Sequence, residues 1–506
     1  MMNVSQLIRH PSIWRLLGQI LVKIVLPFLL GLGLMLAGGM TELAIADQTS
    51  PAIATLKLYD RSLGASTQYI GACEGNVDFN LSDLEDLGLN TYRIYGGMSR
   101  WETEDDDGIY GYPSIAQIKA NPDVVNWDWW DRVMTQPEGG SDYAFSGDPT
   151  ELWQGSASTL LSTLKEAHIR PVLTLRNSDP GWDPDWALQL NPPRTEADWN
   201  EWWQHVFATV YWLNVRHDYQ VDDFELHNEP DNRQQGWGGN QADYFELARV
   251  GADAIAHVYQ TYLPGRDFHI HAPKTVGHSL WPADTLDAIP TYFDQINVHN
   301  YDWDISAYVR QVRSWMQGTI HERSPLWLGE WGTYTDGYDD LSFSLNLIKN
   351  MIRMSQPGDT YVYGSHLFSL YDWGRGDFAG LIDAEGHRRL SYYALRMGTR
   401  ALQGGRPVLL TGISDDAVMA IATQDDQNQI NLLLVNDQPQ AHTLAVDLSA
   451  LVSDGTGTLW EFSKTVQDEA IAPLVVTQGE LQLTLPAYSS QLAIIPAAPL
   501  PNAILN

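Results

Sequence analysis

From about residue 56 onward the chain alternates short apolar runs with longer segments of helical period, the pattern of a parallel α/β architecture. Apolar runs at 68–72, 91–95, 171–176, 223–227, 268–271, 295–299, 326–329 and 361–368 read as strands. Helical spacing appears between them over 81–87, 158–167, 196–215, 242–262, 305–316 and 341–354. Eight strand–helix units in roughly 340 residues predict a (β/α)8 TIM barrel with enlarged loops. The largest insertion, 96–151, lies between the second strand and its helix and is rich in Trp, Tyr, Asp and Gly. A loop that long inside a compact domain is usually functional or disordered, and its aromatic content favours function.

After Arg400 the period changes. Short alternating strands are expected at 408–411, 418–423, 430–435, 443–446, 457–461, 481–485 and 491–495, separated by turns of Asp, Asn, Gly and Gln. That pattern predicts a C-terminal antiparallel β-sandwich of about 95 residues, to which the extended segment at 54–59 could add a strand. The expected division is a leader at 1–46, a linker at 47–55, the barrel at 56–400, the sandwich at 401–497 and a tail at 498–506. No repeat of solenoid or propeller period is visible.

Composition narrows the partners. With 506 residues, 44% of them apolar, the chain can bury a large core. Acidic residues outnumber basic ones 63 to 30, a formal net charge of −33 that repels nucleic-acid phosphates and anionic lipid. A neutral polymer fits that surface better than nucleic acid does, although an acidic, salt-tolerant exterior accounts for the same charge. Cys73 is the single cysteine, so no intrachain disulfide can form, and no Cys/His zinc spacing occurs. Neither a metal nor an organic cofactor is expected. At the amino terminus, Arg9, Arg15 and Lys23 precede an apolar stretch at 24–40, and Ala44-Ile45-Ala46 offers a small-x-small cleavage site. Export follows from that reading. The stretch is near the lower length limit for a spanning helix and is weakened by Pro27, Gly31 and Gly33, so cleavage and retention as a membrane tether both stay open.

In a parallel barrel, active sites lie at the carboxyl ends of the strands. The polar residues expected there are Arg93, Arg176, Asn177, Asn228, Glu229, Lys274, His299, Tyr301, Glu330, Ser369, Tyr371 and Trp373. Glu229 and Glu330 end the fourth and seventh predicted strands, and a pair of carboxyls is what hydrolysis of a glycosidic bond requires. A retaining pair stands about 5 to 5.5 Å apart, a spacing that strand tips facing each other across one barrel mouth can supply. In such a pair one carboxyl stays ionised, held by a cation and a hydrogen bond, while its charge keeps the proton on the other. Taken alone, a strand-end Glu is usually solvated or salt-bridged, and Arg93 could be a structural ion-pair partner. Glu225, His227 and Glu229 share strand parity, which predicts that the first two point inward and fill a barrel layer. His269 and His271, with His278 following, could suggest a metal site, but no acid pair is placed for it and a buried polar layer is favoured.

The tripeptide Asn228-Glu229-Pro230, with Glu330 three strands later, resembles the signature of glycoside hydrolase clan A. Val298-His299-Asn300-Tyr301 resembles that clan's strand-six motif, in which a tyrosine bonds the nucleophile, and Arg93 resembles its strand-two arginine. Glu330-Trp331-Gly332 is similar to family 5, whereas Gly380-Leu381-Ile382-Asp383, Tyr392-Tyr393-Ala394-Leu395 and Leu485-Pro486-Ala487-Tyr488-Ser489-Ser490 resemble the barrel-plus-sandwich families 39, 30 and 51. His227 departs from the aromatic residue common before Asn-Glu-Pro. The resemblance implies an exported retaining glycoside hydrolase that cleaves β-glycosidic bonds by double displacement, with Glu229 as acid/base and Glu330 as nucleophile. With the acidic composition favouring a neutral oligo- or polysaccharide substrate, Asn228, Arg93, His299, Tyr301, Asn177 and Trp373 are expected to bind it, Asn228 donating to the sugar 2-hydroxyl.

Trp182, Trp373 and the cluster Trp127, Trp129 and Trp130 fall on predicted loops at the catalytic face and suit stacking on sugar rings. Trp202 and Trp203 lie in a helical pattern and are expected to pack on the barrel. A transglycosylase would use the same residues, and a non-catalytic carbohydrate-binding or scaffold protein on the same fold is the competing class.

Overall fold

A computed structural model describes residues 53–73, 80–101, 113–135, 156–176, 191–232, 237–276, 279–301, 304–333, 339–372, 380–383 and 385–500. The predicted leader, much of the 96–151 insertion, Asn177, Trp182, His278 and Trp373 lie outside the described residues. Among the described residues no helix is long and apolar enough to cross a membrane.

The first strand, β1 (Ala54–Ala65), does not enter the barrel. Eight parallel strands then close on themselves: β2 (Tyr69–Cys73), β3 (Thr91–Gly97), β4 (Arg170–Arg176), β5 (Asp223–Leu226), β6 (His269–Thr275), β7 (Gln295–Tyr301), β8 (Leu326–Gly332) and β9 (Gly364–Leu367). Both faces of these strands are covered, so all seven residues of β3 and of β7 are buried, the polar Arg93, Asn297 and His299 included. The barrel begins at Tyr69, later than the expected 56, because Leu56 and Leu58 alternate with exposed residues and suit a sheet with one buried face.

The helices start and stop on local signals. Asn80 caps Leu81–Leu87 by accepting from the Ser82 amide, and Gly88 closes it in the left-handed conformation. Capping boxes at Thr195/Asp198 and Asn240/Asp243 open Glu196–Tyr211 and Gln241–Tyr262. The first of these runs into a π-helical turn, Trp212–Arg216, where the Asn214 side chain bonds both the amide and the carbonyl of Val221 at 3.0 and 2.7 Å. Trp202 and Trp203 are buried as expected, with their indole nitrogens donating to Leu247 O and Asp253. Trp127, Trp129 and Trp130 are corrected: they belong to a helix, Trp127–Thr135, not to a loop. Its apolar side packs inward, with Trp130 fully buried beside His205 and Trp127 stacked on Tyr211 at 5.0 Å.

Beyond the last barrel helix, Leu390–Leu402, come β10 (Pro407–Ile413), β11 (Val418–Gln424), β12 (Gln429–Asn436), β13 (His442–Asp447), β14 (Gly455–Phe462), β15 (Gln467–Val476), β16 (Glu480–Leu485) and β17 (Ser489–Pro496). With β1 they form one nine-stranded sheet in the order β15-β14-β17-β12-β11-β10-β1-β13-β16. It is antiparallel except where β1 runs parallel to β13, so the sandwich is mixed and not wholly antiparallel. The edge strand β15 had no counterpart among the predicted strands: Pro473 interrupts its run and most of its residues face solvent, both features of an edge. Strand β12 shows how sheet and barrel join. Its Ile430, Leu432 and Leu434 enter the sheet's own core, while the alternate Leu433 and Val435 join the core shared with the barrel. Arg396 and Arg400, one turn apart on the last helix, clamp the buried Asp468 of β15 at 2.8 and 2.6 Å, and Arg400 also lies 3.9 Å over the Trp460 ring.

Candidate active site

Both carboxylates sit at the carboxyl end of the barrel, each 3% exposed. They reach it by different backbone devices. Strand β8 carries one extra residue, Gly329, against β7, so that His299 pairs with Glu330 and the two side chains are brought to one level. A Cβ at 329 would stand 2.2 Å from Asn297 Oδ1, so the bulge needs glycine. Glu330 therefore stands within its strand, which continues to Gly332. Glu229, by contrast, follows the end of β5 in a turn where His227 and Glu229 both have positive φ, 73° and 46°. Each such non-glycine residue stores roughly 1–3 kcal/mol of strain. The Glu229 amide is held by Lys274 O at 3.0 Å.

His227 corrects the parity expectation. The strand stops at Leu226, the positive φ redirects the ring, and it packs 4.7 Å from Trp237 instead of extending the inward row. Glu225 does point inward and anchors the layer beneath the two acids. Its Oε2 accepts from Arg93 Nε at 2.7 Å and from Thr174 Oγ1 and lies 2.9 Å from Lys274 Nζ, while its Oε1 accepts from Asn297 Nδ2 at 2.9 Å. Burial would raise this carboxyl, but the charges of Arg93 and Lys274 outweigh it and hold Glu225 far below the ordinary value.

Arg93 is fully buried and commits every nitrogen: Nε to Glu225, Nη1 to Tyr95 at 3.0 Å and Glu330 at 2.7 Å, and Nη2 to Asn228 Oδ1 at 2.8 Å. It lies beneath the acids and orients them. Three donors converge on Glu330: Arg93 and the Tyr95 hydroxyl on Oε1, each at 2.7 Å, and the Tyr301 hydroxyl on Oε2 at 2.5 Å. Such charge-assisted bonds form a receptor for an anion.

Glu229 is treated differently. Its Oε1 is 2.8 Å from His299 Nδ1, and its Oε2 accepts from Asn232 at 3.2 Å. Burial foremost, then the charges of Glu330 and Asp231, push its carboxyl well above the ordinary value. His299 lies between the acids, also 3.3 Å from Glu330 Oε2. Burial, with Lys274 and Arg93 adding to it, holds this imidazole well below its usual pKa, so the ring separates the acids without compensating their charge. One ligand atom each of Glu229, His299 and Glu330 fall within 4.8 Å of one another, a spacing able to hold a cation as well as a reacting sugar. Asp383, Glu385 and His387 make a second such group at the surface.

Of the residues expected here, Arg93, Asn228, Glu229, His299, Tyr301 and Glu330 come together. Ser369 and Tyr371 turn away, the latter donating to Asp83 at 3.1 Å on the first helix. His269 and His271 pair separately with Asp294 at 2.5 Å and Asp223 at 3.0 Å at the amino end, so they do not converge. A crevice of about 600 Å³ also opens at that end, among Tyr69, Arg170, Asp223 and Arg266. Its arginines are already paired with Asp side chains. Sequence reasoning missed Tyr95 as a partner of Glu330, although it follows Arg93 by two on the same strand and so shares its face.

No protein-family model matches the chain, and no curated protein matches it in sequence. Solved structures do match its fold. A glucosidase from Croceicoccus marinus aligns with a TM-score of 0.64 at 14% identity, over 88% of this chain and 100% of that one. A family 39 β-xylosidase from Caulobacter crescentus gives 0.62 at 16%, over 88% and 99%. A family 30 xylanase from Clostridium acetobutylicum gives 0.59 at 12%, over 88% and 100%. These likenesses establish the shared architecture, and two of the three carry family numbers that the sequence motifs resemble.

Proposed function

We propose that the protein is a retaining glycoside hydrolase acting on β-linked, neutral oligo- or polysaccharides outside the cell, with Glu330 as nucleophile and Glu229 as acid/base. The observation that carries this reading is the opposite environment of two neighbouring carboxyls: three donors on Glu330, and burial beside a negative charge for Glu229. One oxygen of each lies within 4.8 Å of one of the other, which is compatible with a retaining pair, whose carboxyl groups stand about 5 to 5.5 Å apart. In the first step Glu330 attacks the anomeric carbon as Glu229 gives its proton to the departing oxygen. Esterification removes the charge of Glu330, Glu229 is left ionised, and it takes a proton from the attacking water in the second step. Arg93 holds the Asn228 carbonyl oxygen, which turns the amide nitrogen away from the guanidinium as a donor for a substrate hydroxyl.

The test is to incubate the full chain with aryl β-glycosides and neutral β-glycans and to follow the first-formed anomer by proton NMR. Turnover with retention is expected; inversion, or silence across the panel, would reject the proposal. Adding an acceptor sugar distinguishes hydrolysis from transglycosylation by the products formed.

A further inference from the structure

Lys274 is fully buried in the barrel interior, and its position is unusual in two ways. In the pairing of β6 with β7, Pro273 meets Asn297 and Thr275 meets Val298, so Lys274 is the extra residue of a bulge. Its φ of 61° is one that glycine or asparagine adopts at less cost. The backbone conformation therefore does not call for lysine; the side chain has its own setting. Its Nζ lies 2.9 Å from Glu225 Oε2 and its carbonyl receives the Glu229 amide, so one residue touches both the anchoring carboxylate and the loop of the acid.

Charge counting shows what the ammonium does. Around Glu229 stand Glu330 on β8, His299 and Tyr301 on β7, and Asp231 in its own loop. Around Lys274 stand Arg93 and Tyr95 on β3, Thr174 on β4, Glu225 on β5, Glu330 on β8, Cys73 on β2 and His366 on β9, with the Asp223–His271 pair a layer below. Burial keeps the His299 and His366 rings neutral and pushes the Cys73 thiol up to about 12. Among the groups that bond Arg93 and Lys274 directly, the charges are these two cations against Glu225 and Glu330; the buried Arg176 and the half-buried Asp231 stand outside that set. On the retaining reading the second negative charge is on Glu330 before attack and on Glu229 in the glycosyl-enzyme. Within this set the charge is balanced in both states only because Lys274 is present.

We propose that Lys274 is a positioning residue whose ammonium, held beneath the acids by Glu225, offsets the one negative charge that moves between Glu330 and Glu229 and so sets the pH range in which both steps run. This rests on the retaining reading above. Lys274 lowers the pKa of Glu229, against the raising effects of burial and Glu330.

Lys274→Met removes the charge and keeps most of the length. Loss of a cation favours the protonated form of both acids, so both limbs of the kcat/KM profile should move to higher pH by about one unit. The double variant Lys274→Met/Glu225→Gln removes one charge of each sign and should return the profile towards its original position. A profile that stays in place while activity falls would overturn the proposal and leave Lys274 a structural residue. Because that assay fails if the protein is not a glycosidase, the same substitution is also read by carbon NMR of labelled Glu229 in a Glu330→Gln background. An upward shift of the Glu229 titration by Lys274→Met supports the proposal without any turnover, and an unmoved titration rejects it. Should the methionine variant not fold, Lys274→Gln is put through the same titration with the same two readings.

Discussion

The barrel buries carboxylates at both ends and treats them oppositely. At the amino end Asp223, 1% exposed, accepts from Arg170 on one oxygen and lies 3.0 Å from His271 on the other. Burial alone would raise it, but His271 and Arg170 outweigh that and hold it below the ordinary carboxylate value. At the carboxyl end Glu330 is similarly supplied, whereas Glu229 meets a neutral imidazole and one amide. The interior is equally dry at the two ends, so burial does not make the difference. The supply of donors does: where it is complete, as at Asp223, the ionised form is favoured, and where it falls short, as at Glu229, the protonated form is.

The sharpest way to break that contrast is to remove each member of the upper pair. Glu330→Ala should lower kcat/KM by roughly 10⁴- to 10⁶-fold with the fold intact by circular dichroism, since Arg93 retains Glu225. Full activity in this variant would reject the nucleophile assignment. Glu229→Ala should cost about 10²- to 10⁴-fold on poor leaving groups and far less on activated aryl ones. An equal loss on all leaving groups would speak against an acid role.

The lower end predicts a different failure. Asp223→Asn leaves Arg170 and the buried layer without their anion, which should cost about 2–4 kcal/mol of stability while kcat of the folded enzyme is little changed. The low pKa of Asp223 means that its contribution is present above its unfolded value, about 3.9, and is lost as pH falls through the folded one. Thermal melts of wild type and variant should therefore converge below about pH 4. A gap that persists unchanged into acid would show that the pair stabilises by packing and not by charge.

How far the sequence foretold this contrast depends on what each residue's neighbours along the chain reveal. Strand period placed the eight barrel strands, and strand ends singled out Glu229 and Glu330, because both signals are local. The bulges at Gly329 and Lys274 are not local: each is defined by the register of a neighbouring strand. The predicted fifth strand stops at 271, before Ala272-Pro273, so Lys274 read as a loop residue and not as a buried cation. His227 misled for the converse reason, since alternation held until the backbone turned to positive φ. The Trp127–Thr135 helix was missed because its run of aromatics was read as part of a long loop.

The smallest expected effect concerns the two tyrosines, and it separates donors that look alike. Tyr301 is the close donor on Glu330 Oε2, where the other neighbour is His299 at 3.3 Å, whereas Tyr95 shares Oε1 with Arg93. A hydrogen bond to a charged group contributes about 1.5–3 kcal/mol, so Tyr301→Phe should lower kcat/KM by about 100-fold. Tyr95→Phe should lower it by only about tenfold, because Arg93 still serves that oxygen. Neither substitution removes a charge, so the fall should appear mainly in kcat with KM little moved. If Tyr95→Phe proved the more damaging, the nucleophile would depend on its Arg93 side more than the geometry indicates. Tyr95 would then act chiefly by steadying the guanidinium, which it accepts from at 3.0 Å.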